Sequence, residues 1–181
     1  MKKFEEKTIQ SKQIYDGKVV KLQVDEVTLP DGKTAKRELI KHPGAVGIIP
    51  VTKDKKIMMV EQYRKPLEKS LVEIPAGKLE PGEKPEVTAV RELEEETGFT
   101  TNSLQFVTSF YTSPGFADEL MYLYLTDHLE PLTKKAAGDD DEFVELIELT
   151  LDEAKQYVND HRIHDAKTNY AILYLEMLEM M

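Results

Sequence analysis

The feature that most narrows what this chain can fold into is a helical period at Pro85–Thr97, closed by Gly98 as a natural C-cap. On that helix Glu92 and Glu96 stand four residues apart and Glu95 three from Glu92, so three carboxylates share one side. Like charges at this spacing repel, and a divalent cation that prefers oxygen donors resolves the repulsion. Mg²⁺ in particular favours one or two carboxylates together with water and substrate phosphates. A run such as Glu94-Glu95-Glu96 taken alone reads as a solvated helix face.

Elsewhere strand patterns dominate. Val20–Leu29 alternates apolar and polar residues, Pro30-Asp31-Gly32-Lys33 supplies a turn, and Arg37–Lys41 returns, which predicts a hairpin. Ala45–Val51 and Ile57–Val60 read as a second strand pair across the polar Thr52–Lys56, and further strands are expected at Leu71–Ile74, Leu104–Tyr111, Met121–Thr126 and Phe143–Leu149. Helical periods return only at the end. Thr150-Leu151-Asp152-Glu153 has capping-box form and opens a helix to about Val158, and Ala166–Met180 places Ala171, Ile172, Leu175 and Leu178 on one stripe. Regular βαβ alternation is missing, so the expectation is an α+β sandwich of helices on a mixed sheet. An N-terminal strand and hairpin region, residues 1–43, precedes the main domain, residues 44–181, within one compact unit. Lys134–Glu142 reads as a polar, mobile loop.

The 181 residues carry 24 Lys plus Arg against 34 Asp plus Glu, a formal charge of −10, which argues against a nucleic-acid partner. A phosphate-bearing small molecule remains open, because cations held by carboxylates reverse the local sign. The chain has no cysteine, which removes disulfides, thiolate zinc sites and cysteine nucleophiles and fits a cytoplasmic location. No segment approaches the ~20 apolar residues of a membrane span, so no membrane association is expected.

The spacing around the acidic helix is more specific than its charge. Gly77, then five residues, Glu83, then seven residues, Arg91-Glu92-Leu93-Glu94-Glu95-Glu96-Thr97-Gly98-Phe99 forms one continuous pattern. At ordinary residue usage such a pattern recurs by chance roughly once in ten million chains of this size. It resembles the signature of the Nudix hydrolases at Gly77, Glu83, Arg91, Glu92, Leu93, Glu95, Glu96, Gly98 and Phe99. Pro114, within Tyr111-Thr112-Ser113-Pro114-Gly115-Phe116, follows Gly98 at a spacing similar to that of the ADP-ribose pyrophosphatase branch, although Ser-Pro-Gly alone is a turn. Glu61-Gln62-Tyr63-Arg64, Lys36-Arg37-Glu38 and His42-Pro43-Gly44-Ala45-Val46 look like the same branch, and the similarity runs from about Ile14 to Leu175.

The resemblance implies a Nudix-type α/β/α sandwich with an N-terminal antiparallel sheet, and hydrolysis of ADP-ribose to AMP and ribose 5-phosphate with Mg²⁺, or Mn²⁺, as cofactor. Carried over by position, the metal ligands are Glu92, Glu95, Glu96 and the carbonyl of Ala76, with Glu92, Glu95 and Glu96 catalytic through the metal. Gly77 shapes the entry, Arg91 orients a carboxylate, and Glu83 supports the ligands or a metal-bound water. The general base falls in Asp139-Asp140-Asp141-Glu142, with Glu142 first and Asp141 second; the bland alternative is a solvated acidic loop. For substrate contacts, Arg64 neutralises a phosphate, Arg37 stacks on adenine, Glu119 accepts from ribose hydroxyls, and Pro114 and Gly115 line the pocket, with Tyr15 and Phe116 as further ring contacts. Arg37 and Glu119 read equally as members of surface ion pairs. The branch also implies a homodimer in which the N-terminal sheet helps complete the partner's site. Two rival functions stand beside this one: a Nudix pyrophosphatase for another nucleoside diphosphate derivative, and a non-catalytic ADP-ribose sensor.

Overall fold

The computed structural model describes residues 3–133 and 143–180. The chain divides into two compact units, one running to Gly44 and including Phe110–Leu120, the other made of Ala45–Ser109 and Met121–Met181.

The first unit is an antiparallel sheet in the order β1-β2-β3, from β1 (Lys7–Asp16), β2 (Lys21–Thr28) and β3 (Thr34–Lys41). The expected hairpin forms in register from Lys21↔Lys41 to Thr28↔Thr34. At its turn Gly32 adopts φ 85° and the Asp31 carboxylate accepts the Lys33 N–H at 3.1 Å. Strand β1 is not legible as alternation. All ten of its residues are exposed, and register shifts between Thr8 and Gln10 and between Gln13 and Tyr15 break the period of two. The 110–120 segment is stitched to β3 by the Ile40 N–H to Phe116 carbonyl bond of 2.8 Å and the Asp118 N–H to Ile40 carbonyl bond of 3.2 Å.

The second unit contains β4 (Ala45–Pro50), β5 (Ile57–Arg64), β6 (Lys69–Glu73), β7 (Ala76–Lys78), α1 (Pro85–Thr97), β8 (Phe99–Thr100), β9 (Gln105–Tyr111) as far as Ser109, β10 (Leu120–Thr126) from Met121, β11 (Glu130–Pro131), β12 (Val144–Leu149), α2 (Leu151–Asn159) and α3 (Ala166–Glu179). One sheet has the order β7-β4-β10-β9 and another β12-β5-β6, with β11 and β8 as a small pair. Strand β4 runs parallel to β10, from Ala45↔Met121 to Pro50↔Thr126, and antiparallel to β7, so this sheet is mixed and the fold class is α+β.

The expected pairing of β4 with β5 does not form. They lie in different sheets, joined among the described residues by the single bridge Val51↔Ile57. Each is an inner strand of its own sheet, paired on both edges, and buries both faces of a continuous apolar run, so neither can serve as the other's neighbour. Helix α1 packs on β4 and β7, with the fully buried Ala89 clustered with Val46 and Ile48 of β4. The α2 capping box is present, with Thr150 accepting from the Glu153 N–H and Glu153 accepting from the Thr150 N–H. On α3, Ala171 and Ile172 are buried, but Leu178 is 43% exposed, so the expected stripe ends before the helix does. No helix among the described residues is long and apolar enough to cross a membrane.

Candidate active site

Helix α1 is defined by its ends. Pro85 occupies the first turn, where a missing N–H costs nothing, and Gly98 takes the left-handed conformation at φ 76° while its N–H closes on the Glu94 carbonyl. Between these stops the Glu92 and Glu96 carboxylates turn inward. Glu92 is 7% exposed and Glu96 5%, with Glu95 half-buried beside them. Burying a carboxylate costs several kcal/mol per ion unless it gains a partner.

The partners come from Arg91 and the β7 backbone. Arg91 Nη1 donates to Glu92 Oε1 at 2.8 Å and to Glu95 Oε2 at 3.0 Å. Its Nε and Nη2 reach Glu83 at 3.3 and 3.2 Å, and Nη2 also donates to the Lys78 carbonyl. Glu83 accepts the Thr88 hydroxyl at 2.7 Å as well. Burial works against the charge on Arg91, yet the hydrogen bonds and charges of Glu83 and Glu92 outweigh it and raise its pKa above the ordinary arginine value. The hydrogen bond from Arg91 holds Glu83 below the usual carboxylate range. Glu96 Oε2 accepts the Ala76 N–H at 3.1 Å, which ties helix α1 to the strand carrying Ala76 and Gly77.

Gly77 faces Glu92, and a Cβ built at this position would overlap the Glu92 carboxylate. A side chain at this position would have to displace the carboxylate. Buried carboxylate oxygens from Glu92 and Glu96 beside this seat are the donor chemistry that a hard divalent cation takes. Among the described residues no three His, Asp or Glu side chains already converge as a metal cage. In this structure the guanidinium of Arg91 supplies the positive charge between Glu92 and Glu95.

Arg64, at the end of β5, forks onto Glu73 with Nε to Oε1 at 2.6 Å and Nη2 to Oε2 at 2.8 Å. The Glu73 hydrogen bond raises the Arg64 pKa against burial, and the charge of Glu96 adds to the effect. In the first unit, Arg37 forks onto Glu6 at 2.9 and 2.6 Å and donates through Nη1 to the Lys36 carbonyl, so it is a member of an ion pair. Glu119 accepts the Thr112 hydroxyl at 2.5 Å and lies 3.7 Å from His42 Nδ1. Pro114 and Gly115 sit in a tight turn closed by the Phe116 and Ala117 N–H groups on the Ser113 carbonyl. Tyr15 and Phe116 are both more than half exposed. Asp139, Asp140, Asp141 and Glu142 lie outside the described residues.

Sequence reasoning passed over Glu73, Lys167 and Asp165. Glu73 is 2% exposed and accepts Lys167 as well as Arg64, while Lys167 also donates to Asp165 at 3.0 Å. The signal is a charged residue inside the apolar run Leu71–Ile74, whose pattern by itself specifies only a strand.

Residues 41–169 match the NUDIX domain family model, and residues 6–40 match that of the nucleoside diphosphate sugar hydrolase N-terminal domain. The chain is 61% identical to the methanol dehydrogenase activator of Bacillus methanolicus, over 98% of this chain and 96% of that protein. It is 56% identical to the ADP-ribose pyrophosphatase of Bacillus subtilis (strain 168), over 99% and 97%. Its fold is similar to the crystal structure of an ADP compounds hydrolase, with a TM-score of 0.84 at 20% identity, covering 96% of this chain and 94% of that one.

Proposed function

The chain belongs to the Nudix family, and from that premise we propose that it is a metal-dependent pyrophosphatase that hydrolyses ADP-ribose to AMP and ribose 5-phosphate. What carries the chemistry is the burial of Glu92 and Glu96 against Ala76 and Gly77. The choice of ADP-ribose follows the relative that bears that activity in its name at 56% identity over almost the whole chain.

Glu92, Glu96, Glu95 and the Ala76 carbonyl are the groups to hold Mg²⁺, with Mn²⁺ as the substitute. When bound, such a cation neutralises charge that develops on the phosphate oxygens and lowers the pKa of the attacking water. Arg91 keeps Glu92 and Glu95 oriented, and Glu83, pinned by Thr88, keeps Arg91 in place. Arg64 offers its guanidinium to a substrate phosphate. Glu142, with Asp141 second, takes the proton from the attacking water. Pro114, Gly115, Glu119 and the planar face of Arg37 serve the adenosine and ribose ends, with Arg37 keeping its bond to Glu6. The reading also carries a homodimer built on the N-terminal sheet, whose residues 1–43 precede the catalytic domain, and a cytoplasmic location.

The test is product analysis of the purified protein with Mg²⁺ and a panel of ADP-ribose, ADP-glucose, NADH, diadenosine polyphosphates and nucleoside triphosphates. AMP and ribose 5-phosphate, with ADP-ribose the best substrate by kcat/KM, is the expected result. Preference for another member of the panel replaces the substrate, and metal-independent binding without turnover replaces the enzyme with a sensor.

A second reading is favoured by the 61% identity to a methanol dehydrogenase activator. In it the chain raises the turnover of a methanol dehydrogenase. Adding the purified protein to that enzyme and following its rate tests this directly; an unchanged rate removes the reading.

A further inference from the structure

Resting on the reading of Arg64 as a phosphate-binding side chain, we propose that Lys167 is a positioning residue for the reaction. It holds Glu73, and through Glu73 it holds the Arg64 guanidinium in the orientation that presents it to an anionic diphosphate.

The arrangement is a chain of charged groups that starts in the first turn of α3 and ends at the tip of β5. Both oxygens of Glu73 are engaged by Arg64, through Nε and Nη2, and Oε2 accepts Lys167 as well. Lys167 donates its second bond to Asp165 Oδ1 at 3.0 Å. The same Asp165 oxygen caps α3 by accepting the Thr168 N–H at 3.1 Å, and the Thr168 hydroxyl accepts the Ile74 N–H at 3.1 Å. One helix turn therefore grips the Glu73 side chain and the backbone that follows it. That backbone continues directly to Ala76, which binds Glu96, and to Gly77, which faces Glu92.

Lys167 and Asp165 add one charge of each sign, so the chain of four groups is as neutral as the Arg64–Glu73 pair alone; what Lys167 supplies is a second fixed partner for the carboxylate on which Arg64 is oriented. Among the described residues the hydrogen bonds of Arg64 use Nε and Nη2, which leaves Nη1 for a further acceptor.

Stability is a poor reason to bury these charges. Replacing a buried ion cluster with apolar side chains of similar volume is often neutral or stabilising. Lys167 is 8% exposed on the same side of α3 as the buried Ala171 and Ile172, where an apolar side chain would pack. A charge retained in that setting points to a role in orientation.

The experiment is a double-mutant cycle in steady-state hydrolysis of ADP-ribose with Mg²⁺, with the melting of each variant followed by circular dichroism. Arg64→Ala is expected to raise KM by about tenfold or more. Lys167→Met is expected to raise KM by about tenfold while kcat stays within about twofold, and Lys167→Arg to recover most of the loss. The Arg64→Ala/Lys167→Met double variant is expected to show a KM no higher than Arg64→Ala alone, because Lys167 acts only through Arg64. If Lys167→Met does not fold, Lys167→Gln, whose shorter neutral side chain gives up the ion pair with Glu73 but stays polar, takes its place in the cycle. An unchanged KM in Lys167→Met beside a raised KM in Arg64→Ala overturns the positioning role and leaves the reading of Arg64 intact. Additive effects in the double variant overturn it as well. An unchanged KM in Arg64→Ala overturns the reading of Arg64 itself, and this proposal with it.

Discussion

The Glu92 carboxylate lies where a side chain of residue 77 would otherwise be, so the identity of Gly77 and the position of Glu92 are a single structural fact. Glu92 is the flexible partner, and an alanine at 77 is accommodated by moving its carboxylate. Gly77→Ala is therefore expected to keep the fold but lower kcat by about 10–100-fold, as loss of a ligand-orienting contact does. Steady-state kinetics with Mg²⁺, beside a circular dichroism melt, checks this; a near-normal kcat would mean that the seat is dispensable.

Glu96→Gln removes a negative charge while keeping the shape of the side chain, and the amide oxygen can still accept the Ala76 N–H. The expected outcome is a fall in kcat of orders of magnitude with little change in melting temperature. Removing divalent cations with EDTA should abolish turnover of the unmodified protein, and adding Mg²⁺ back should restore it. A Glu96→Gln variant that retains near-normal kcat in Mg²⁺ would sink the assignment of Glu96 as a metal ligand.

The pH dependence of stability follows from Glu73. Burial favours its neutral form, but the hydrogen bonds and charges of Arg64 and Lys167 outweigh burial and hold its pKa below the usual carboxylate value. A group with a lowered folded-state pKa contributes its full stability above the unfolded value, about 4.3 for glutamate, and loses it as pH falls through the folded-state value. Urea-unfolding midpoints should thus decline as pH drops below about 4.3, and the decline should be shallower in Glu73→Gln. At pH 7 that variant is expected to be less stable by about 3 kcal/mol, the low end for breaking a buried ion pair. An identical pH slope in both proteins would assign the acid sensitivity to other carboxylates.

Gly115 presents the opposite case to Gly77. A Cβ there meets nothing within 4 Å, and the residue does not have positive φ, so the fold does not require glycine. Gly115→Ala should leave the melting temperature within about 1–2 °C, because a surface change of this kind alters stability by no more than about 0.5 kcal/mol. A raised KM for ADP-ribose with unchanged stability is expected if this turn lines the substrate pocket. An unchanged KM would remove Gly115 from the substrate contacts.

The acidic helix was legible because spacing alone places Glu92, Glu95 and Glu96 on one side, and because a C-terminal glycine marks where the helix must stop. The hairpin and the capping box of α2 were legible for the same local reasons. Long-range partnership was not. Nothing in Ala45–Val51 says that its neighbour is Met121–Thr126 rather than Ile57–Val60, since all three are apolar runs of similar length. Strand β1 escaped because its two register shifts disrupt the alternation that would reveal it, and because no residue in it is buried. Glu73 escaped because a single charge in an apolar run carries no sequence mark of the Arg64 and Lys167 that receive it. For Arg37 two readings stood side by side, and the structure shows the ion pair.

The parallel pairing of β4 with β10 also sets how far apart in the chain the molecule must make its contacts. It brings residues 45–50 against residues 121–126 and encloses β7 and α1 in the loop between them. Closing so long a loop costs chain entropy before any contact across it is gained, and such non-local pairing is the slow part of folding. The seat formed by Gly77 and Glu92 lies inside that loop, joining residues far closer in the chain than the two strands that enclose it.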